Sequence, residues 1–166
     1  MQLTICGREE AYDRLKKPED FTHVISISDA KREVPAVEGV YKVKKRLVLS
    51  FDDVSIVRKG YREPRAEDVE RILRLAATVD DKSSLLCHCE QGISRSTAAA
   101  FIVLCDRFGP KREAEAMSFI INCQEGARPN ELMVEIADQL MKRGGAMVKE
   151  LELARMMRHA MYFQLR

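Results

Sequence analysis

The spacing of apolar residues changes character near residue 96. Before it, short β-branched runs alternate with amphipathic stretches; after it, apolar positions recur at helical spacing almost to the end. Residues 1–6 read as a short strand. Arg8 to Lys17, with Ala11, Tyr12 and Leu15 on one side, reads as a helix that Pro18 ends. Phe21 to Ser28, containing Val24, Ile25 and Ile27, predicts a buried strand. Residues 29–45 carry Pro35 and Gly39 and yield only a weak edge strand at Val40-Tyr41-Lys42-Val43. Leu47 to Phe51 is a third clear strand, running straight into Asp52-Asp53. Pro64 suits the first turn of the next helix, Glu67 and Asp68 suit its dipole, and Val69, Ile72, Leu73 and Ala76 form its apolar stripe. Asp80 to Ser83 is a turn into a strand at Ser84–His88.

Beyond residue 96, Thr97 to Phe108 is apolar almost all round and predicts a central, buried helix, capped by Gly109. Pro110 stops that helix and starts another, Lys111 to Asn122, with Ala114, Met117, Ile120 and Ile121 as its inner face. Asn130 is a candidate N-cap for a helix whose stripe is Met133, Ile136, Ala137, Leu140 and Met141. Gly144-Gly145 breaks it, and a last helix follows with Met147, Leu151, Ala154, Met157 and Met161 on one face. Helices alternating with strands early, then helices alone, predict an α/β fold: a central, largely parallel sheet of four or five strands flanked by helices.

The chemistry concentrates in Leu85-Leu86-Cys87-His88-Cys89-Glu90-Gln91-Gly92-Ile93-Ser94-Arg95-Ser96, an apolar strand that stops at a cysteine and reopens as a helix. Five residues separate Cys89 from Arg95, with Gly92 in the middle. A loop of that length at a strand end can turn successive backbone N–H groups toward one centre, and the following helix aims its positive end at the same point. Such a nest binds a tetrahedral dianion. It also favours a thiolate, which predicts a Cys89 pKa lowered into the range of roughly 3.5–7.5 and a thiol that is already nucleophilic at neutral pH. Arg95 brings a planar fork able to hold two phosphoryl oxygens at once. Glu90, Gln91, Gly92, Ile93, Ser94 and Arg95 thus form the candidate substrate cradle around Cys89.

His88-Cys89, five residues and Arg95-Ser96 resemble the signature of the cysteine-dependent tyrosine and dual-specificity phosphatases, most closely a small bacterial dual-specificity-like branch. The resemblance spans roughly Phe21 to Leu140. It implies a dual-specificity-phosphatase-like fold and a metal-independent phosphatase acting through a cysteinyl-phosphate intermediate on phosphotyrosine, with phosphoserine and phosphothreonine as further candidates. It implies that Ser96 stabilises the departing cysteine when the intermediate is hydrolysed, that His88 orients the loop and lowers the thiol pKa, and that Asn130, within Arg128-Pro129-Asn130, braces the loop. The leaving oxygen needs an acid. The family places an aspartate some thirty or more residues before the cysteine; Asp52 and Asp53 lie 37 and 36 residues upstream, and Asp53, followed by Val54, is the better match. Lysines inside the loop mark lipid-directed members; Glu90 and Gln91 stand here instead, which leans toward a phosphorylated protein or a small aryl phosphate.

Composition adds bounds. A chain of 166 residues with 46% hydrophobic and 33% charged content predicts one domain over residues 1–166. The 28 basic against 26 acidic residues give no argument for nucleic acid or membrane binding. Five scattered cysteines, an odd number, argue for a reducing compartment, and the amino-terminal residues lack the layout of a signal peptide; the expectation is a cytoplasmic protein. No metal or other cofactor is expected: a zinc site from Cys87, His88 and Cys89 lacks a second ligand cluster. A redox bridge from Cys87 to Cys89 would be strained on an extended strand. Two rival readings remain, a rhodanese-like sulfurtransferase, which needs no upstream aspartate, and a non-catalytic module that binds phosphorylated ligands. The loop Arg58 to Arg65 reads equally as a substrate contact or a solvated face, and oligomeric state is not legible.

Overall fold

The computed structural model describes residues 1–17, 20–32 and 43–164, with side chains described as far as residue 160. Its elements run β1 (Gln2–Cys6), α1 (Arg8–Leu15), β2 (His23–Ser28), β3 (Lys45–Ser50), α2 (Ala66–Ala76), β4 (Ser84–His88), α3 (Arg95–Phe108), α4 (Glu113–Cys123), α5 (Glu131–Leu140) and α6 (Ala146–Gln164). The strands form one sheet in the order β1-β4-β2-β3, and every pair is parallel. Cys6 pairs with His88, His88 with Ser26, and Ser28 with Ser50, so all four carboxyl ends emerge along one edge.

Alternation along the strands divides the core in two. Leu85 and Cys87 of β4, with Ile25, Ile27, Leu47 and Leu49, face the larger core beneath α2, α3 and α5. Leu86, Val24 and Cys6 point the other way, into a smaller cluster closed by Ala11, Leu15 and Phe21. Strand β2 is buried along its whole length, as expected of a parallel strand covered on both faces. Helix α3 is buried continuously from Arg95 to Cys105, in keeping with its apolar composition. No helix among the described residues is long and apolar enough to cross a membrane.

The sheet has four strands among the described residues; the weak fifth strand at 40–43 and the Pro18 stop fall largely outside them, with only Val43 described. Helix α2 begins at Ala66, not at Pro64, because the Asp68 carboxylate accepts from the Arg65 amide at 3.0 Å and fixes Arg65 as N-cap. Helix α4 begins at Glu113 and is rotated from the expected face: Ala116, Met117 and Ile120 are buried, whereas Ala114 and Ile121 are exposed. The cause is Glu113, buried against Arg143 at 3.0 Å, which brings a charged residue to the inner face. In α5, Val134 and Asp138 are buried and Leu140 is exposed, because Asp138 turns inward to accept the Gly145 and Met147 amides at 2.7 and 2.8 Å. Met147, Leu151 and Ala154 of α6 pack inward as expected, but Met157 is exposed, and the Met161 side chain lies outside the description.

Candidate active site

Strand β4 delivers Cys89 to the sheet edge, and the five residues after it turn back into α3. Glycine is required at position 92. Its φ is +76°, and a Cβ there would lie 2.3 Å from the Cys6 carbonyl carbon and 2.5 Å from the Gly7 nitrogen. The loop therefore rests directly on the junction between β1 and α1. It is pinned there from several sides: the Arg8 amide donates to the Glu90 carbonyl at 3.1 Å, Gln124 Nε2 to the Gly92 carbonyl at 3.2 Å, and the Arg128 amide to the Ile93 carbonyl at 2.8 Å.

Cys89 is buried at the floor of a cavity of about 640 Å³. Its Sγ accepts from the Gly92 amide at 3.3 Å and lies 3.2 Å from Ser96 Oγ. Both contacts place donors where negative charge on sulfur would be stabilised. Helix α3 starts at Arg95, at the same cavity, with no acidic residue of its own in its first turn.

Arg95 is 2% exposed, although it carries a full charge. Nη1 donates to the Phe51 carbonyl at 2.7 Å and Nη2 meets Asp29 Oδ1 at 2.7 Å. Nε is buried without a hydrogen-bond partner, with Asp53 Oδ2 3.9 Å away. A buried guanidinium N–H left unpaired is costly unless a ligand completes it, and Arg95 lines the cavity that holds Cys89.

The two candidate acids separate cleanly. Asp52 is occupied by the backbone: Oδ1 accepts the Ala30 amide at 3.2 Å and Oδ2 the Arg62 amide at 2.8 Å. Asp53 lines the cavity. Its Oδ1 accepts from Ser94 Oγ at 2.7 Å and from Asn130 Nδ2 at 2.8 Å, leaving Oδ2 turned toward Arg95. Asn130 also donates to the Val54 carbonyl at 3.1 Å and accepts the Met133 amide at 3.1 Å, so one buried amide caps α5 and ties the Asp53 segment to it. The Asn130 amide, at 3.3 Å from the Ser94 carbonyl, joins the cysteine loop to the same node.

Glu90 lines the cavity and forms ion pairs with Arg8 and, at 2.9 Å, with Arg32. Its side chain ties the loop to α1. His88 is buried, with Nε2 2.7 Å from Ser26 Oγ and Nδ1 unpartnered. Burial, reinforced by Arg8 and Arg46, lowers its pKa from 6.5 to about 4, so the ring is neutral at pH 7. Burial also pushes the Cys87 thiol far above its ordinary range and the Cys6 thiol up to about 12, the latter with help from Glu10. A thiol held protonated in this way is a poor redox partner. No cluster of three or more His, Cys, Asp or Glu side chains suited to a metal occurs among the described residues.

Sequence reasoning missed Asp29 and the Ser94 hydroxyl contact. Asp29 follows a buried strand at the same carboxyl edge as Asp53, which was the available signal; its pairing with Arg95 depends on strand order, which the sequence does not state.

No protein-family model and no curated protein sequence matches the chain. Solved structures do. Human DUSP28 superposes with a TM-score of 0.63 at 19% identity, covering 87% of this chain and 94% of that one. The fold is that of the dual-specificity phosphatases. The Yvh1 phosphatase domain from Chaetomium thermophilum gives 0.59 at 20% identity over 87% and 93% of the two chains. PTPMT1, solved in complex with PI(5)P, gives 0.61 at 16% identity over 85% and 90%. The dual-specificity-phosphatase fold accounts for the parallel sheet and for the helices packed around it. The roles of individual side chains rest on the geometry above.

Proposed function

We propose that the chain is a phosphatase that hydrolyses phosphate monoesters through a cysteinyl-phosphate intermediate, with no metal in the chemistry. One observation carries the reading: Cys89, Arg95 with its unpartnered buried Nε–H, and the Asp53 carboxylate line one cavity at the N-terminus of a helix. Cys89 Sγ attacks phosphorus, forming the S–P bond as the P–O bond to the leaving group breaks. Arg95 Nε and the loop amides hold the non-bridging oxygens, whose charge is greatest in the transition state. Protonated Asp53 gives its proton to the leaving oxygen, and Oδ2 is the oxygen that carries it, because Oδ1 already accepts two hydrogen bonds. Water then attacks phosphorus and gives a proton to the Asp53 carboxylate. The S–P bond breaks, inorganic phosphate leaves, and Ser96 Oγ–H stabilises the departing sulfur.

A sulfurtransferase would leave Asp53, held on the cysteine loop by Ser94 and Asn130, without a task. A purely binding module would not need Ser96 against sulfur. The substrate class that fits is a phosphorylated protein or small aryl phosphate, since Glu90 and Gln91 bring no cation into the loop, and the chain is read as one catalytic domain acting in the cytoplasm. Hydrolysis of an aryl phosphate in the presence of a chelator is the test. Activity is expected to persist with chelator and to vanish in Cys89→Ser; full activity in that variant overturns the mechanism.

A further inference from the structure

Between Asp53 and α2 the chain forms a closed loop whose apolar tip the mechanism does not use. Its neck is fixed: the Asp52 amide donates to the Arg62 carbonyl at 2.7 Å, the Arg62 amide to Asp52 Oδ2 at 2.8 Å, and Asn130 Nδ2 to the Val54 carbonyl at 3.1 Å. Residues 55–61 stand outside that neck, and all of them are exposed. Ile56 and Val57, at the tip, are 68% and 74% exposed. Adjacent aliphatic side chains held this far into water mark a contact surface. They line neither the catalytic cavity nor the hollow that Ser55 reaches, so the tip is a protrusion rather than a pocket.

The surrounding charge is of one sign. The whole chain is nearly balanced, with 28 basic against 26 acidic residues, so position decides. Arg62 pairs with Asp68, and Arg65 with Glu63. Arg58 and Lys59, next to the tip, form no ion pair with a described residue; the Arg58 guanidinium lies over the Tyr61 ring, 5.4 Å from its centre. Ser55 and Ser94 line one hollow of about 200 Å³ with Arg128 and Arg158, two further cations without an ion-pair partner among the described residues. Ser94 and Arg128 also line the catalytic cavity. Tip, free cations and cavity therefore share one side of the molecule.

We propose that this side docks on an anionic membrane surface, with Ile56 and Val57 entering the interface and Arg58, Lys59, Arg128 and Arg158 meeting the headgroups. Aliphatic side chains ringed by Lys and Arg suit the boundary between acyl chains and anionic headgroups. A peptide fits less well, because an anchoring side chain needs a concave pocket to fill, and this tip is convex. Docked in this way, the cavity is held against the bilayer, where it meets phosphorylated proteins bound there. The docking is independent of the phosphatase reading; only that consequence for the substrate rests on it.

The test is sedimentation of the intact protein with phosphatidylcholine vesicles, with and without phosphatidylserine. Binding is expected to be at least about tenfold stronger with phosphatidylserine and to weaken as salt is raised. Arg58→Gln/Lys59→Gln is expected to reduce it about 20-fold, at about fivefold for each cation. Ile56→Ser/Val57→Ser is expected to reduce it about tenfold, with turnover of a soluble aryl phosphate unchanged. These four side chains are exposed, so the variants are expected to melt with the unaltered protein. Equal binding to the two vesicle types overturns the proposal, as does binding that neither pair of substitutions weakens. Vesicle binding that survives Ile56→Ser/Val57→Ser, while KM for a soluble phosphotyrosine peptide rises, overturns it in favour of a peptide contact. Aryl phosphate turnover without vesicles decides the phosphatase reading separately.

Discussion

Gly92→Ala isolates the contact on which the cysteine loop is built. The new Cβ would meet the Cys6 carbonyl carbon at 2.3 Å, the Gly7 nitrogen at 2.5 Å and the Cys6 oxygen at 2.6 Å. Carbon contacts settle near 3.5–4.0 Å, so loop and strand end must part by roughly 1 Å. Two costs add: about 1–2 kcal/mol for an alanine at positive φ and about 1–3 kcal/mol for overpacking. A loss of roughly 2–5 kcal/mol lowers the melting temperature by about 5–15 °C in a protein of this size. Gly109→Ala separates the two, since Gly109 has φ +83° with nothing within 4 Å of its Cβ position. It lies at the far end of α3 from the site, and only the backbone cost of about 1–2 kcal/mol applies. Turnover distinguishes them further. Gly92 N–H is the amide that reaches Cys89 Sγ, and a 1 Å displacement of that loop costs about 10²-fold in kcat/KM, while Gly109→Ala keeps the wild-type value. Calorimetry and an aryl phosphate assay on both variants decide it. Equal stability of the two variants, with full turnover in Gly92→Ala, would refute the idea that the β1–α1 junction supports the loop.

Ser96→Ala is expected to slow breakdown of the intermediate more than its formation, giving a burst of released phenol followed by a steady rate about 10–100-fold lower; a single-phase trace with unchanged kcat counts against a role for its hydroxyl. Asp53→Asn is expected to lower kcat by about 10²-fold or more for a poor leaving group, with little change in stability. Asp52→Asn is expected to do the reverse: an amide can accept only one of the two backbone N–H bonds to the carboxylate, costing roughly 1–2 kcal/mol. Activity that falls with Asp52 and not with Asp53 exchanges their roles. Stability is also expected to depend on pH through the buried histidines. The folded-state pKa of His88 lies near 4, below the unfolded 6.5, so the unfolded chain binds the proton first. Stability is then full above about pH 6.5 and falls toward pH 4 by up to about 1.4 kcal/mol per unit, with His23, also lowered by burial, adding to the slope. Urea midpoints at pH 7.5, 6 and 5 measure it, and His88→Gln should flatten the curve; a midpoint constant across that range contradicts the burial argument.

The elements that were legible in the sequence are those whose own residues settle their environment. Val24 on one face and Ile25 and Ile27 on the other give β2 apolar residues on both sides, so it had to be internal, and α3 announces itself in the same way. The Cys89-to-Arg95 spacing was legible because a loop of fixed length admits few ways of pointing its amides. What escaped depends on partners distant in sequence. The rotation of α4 follows from Glu113 finding Arg143 thirty residues on, and no periodicity encodes that pairing. Leu140 belonged to the expected stripe of α5, yet Asp138 took the inner position because it caps α6. Asp52 and Asp53 are adjacent and chemically identical in the sequence. They differ only in whether the backbone or the cavity claims the carboxylate.

That division of labour between the two aspartates follows from the topology. In a parallel sheet ordered β1-β4-β2-β3, the chain leaves β2 at Asp29, β3 at Phe51, just before Asp52 and Asp53, and β4 at Cys89 along one edge. Asp29 then reaches Arg95 on one side, while the Phe51 carbonyl takes Nη1 on another. Those two contacts engage the terminal nitrogens and leave Nε without a hydrogen-bond partner. Asp53 is fastened to the cysteine loop through Ser94 and to α5 through Asn130. The Asp53 segment and the Cys89 loop therefore belong to one hydrogen-bonded body, so a displacement of that segment must break bonds to the loop that holds Cys89. It follows that Asn130→Ala, which removes the shared donor without touching sulfur or phosphate, should weaken acid catalysis in proportion to the basicity of the leaving group. Aryl phosphates with good leaving groups should be nearly indifferent to it, and a uniform loss across a leaving-group series would show instead that Asn130 only holds the loop in shape.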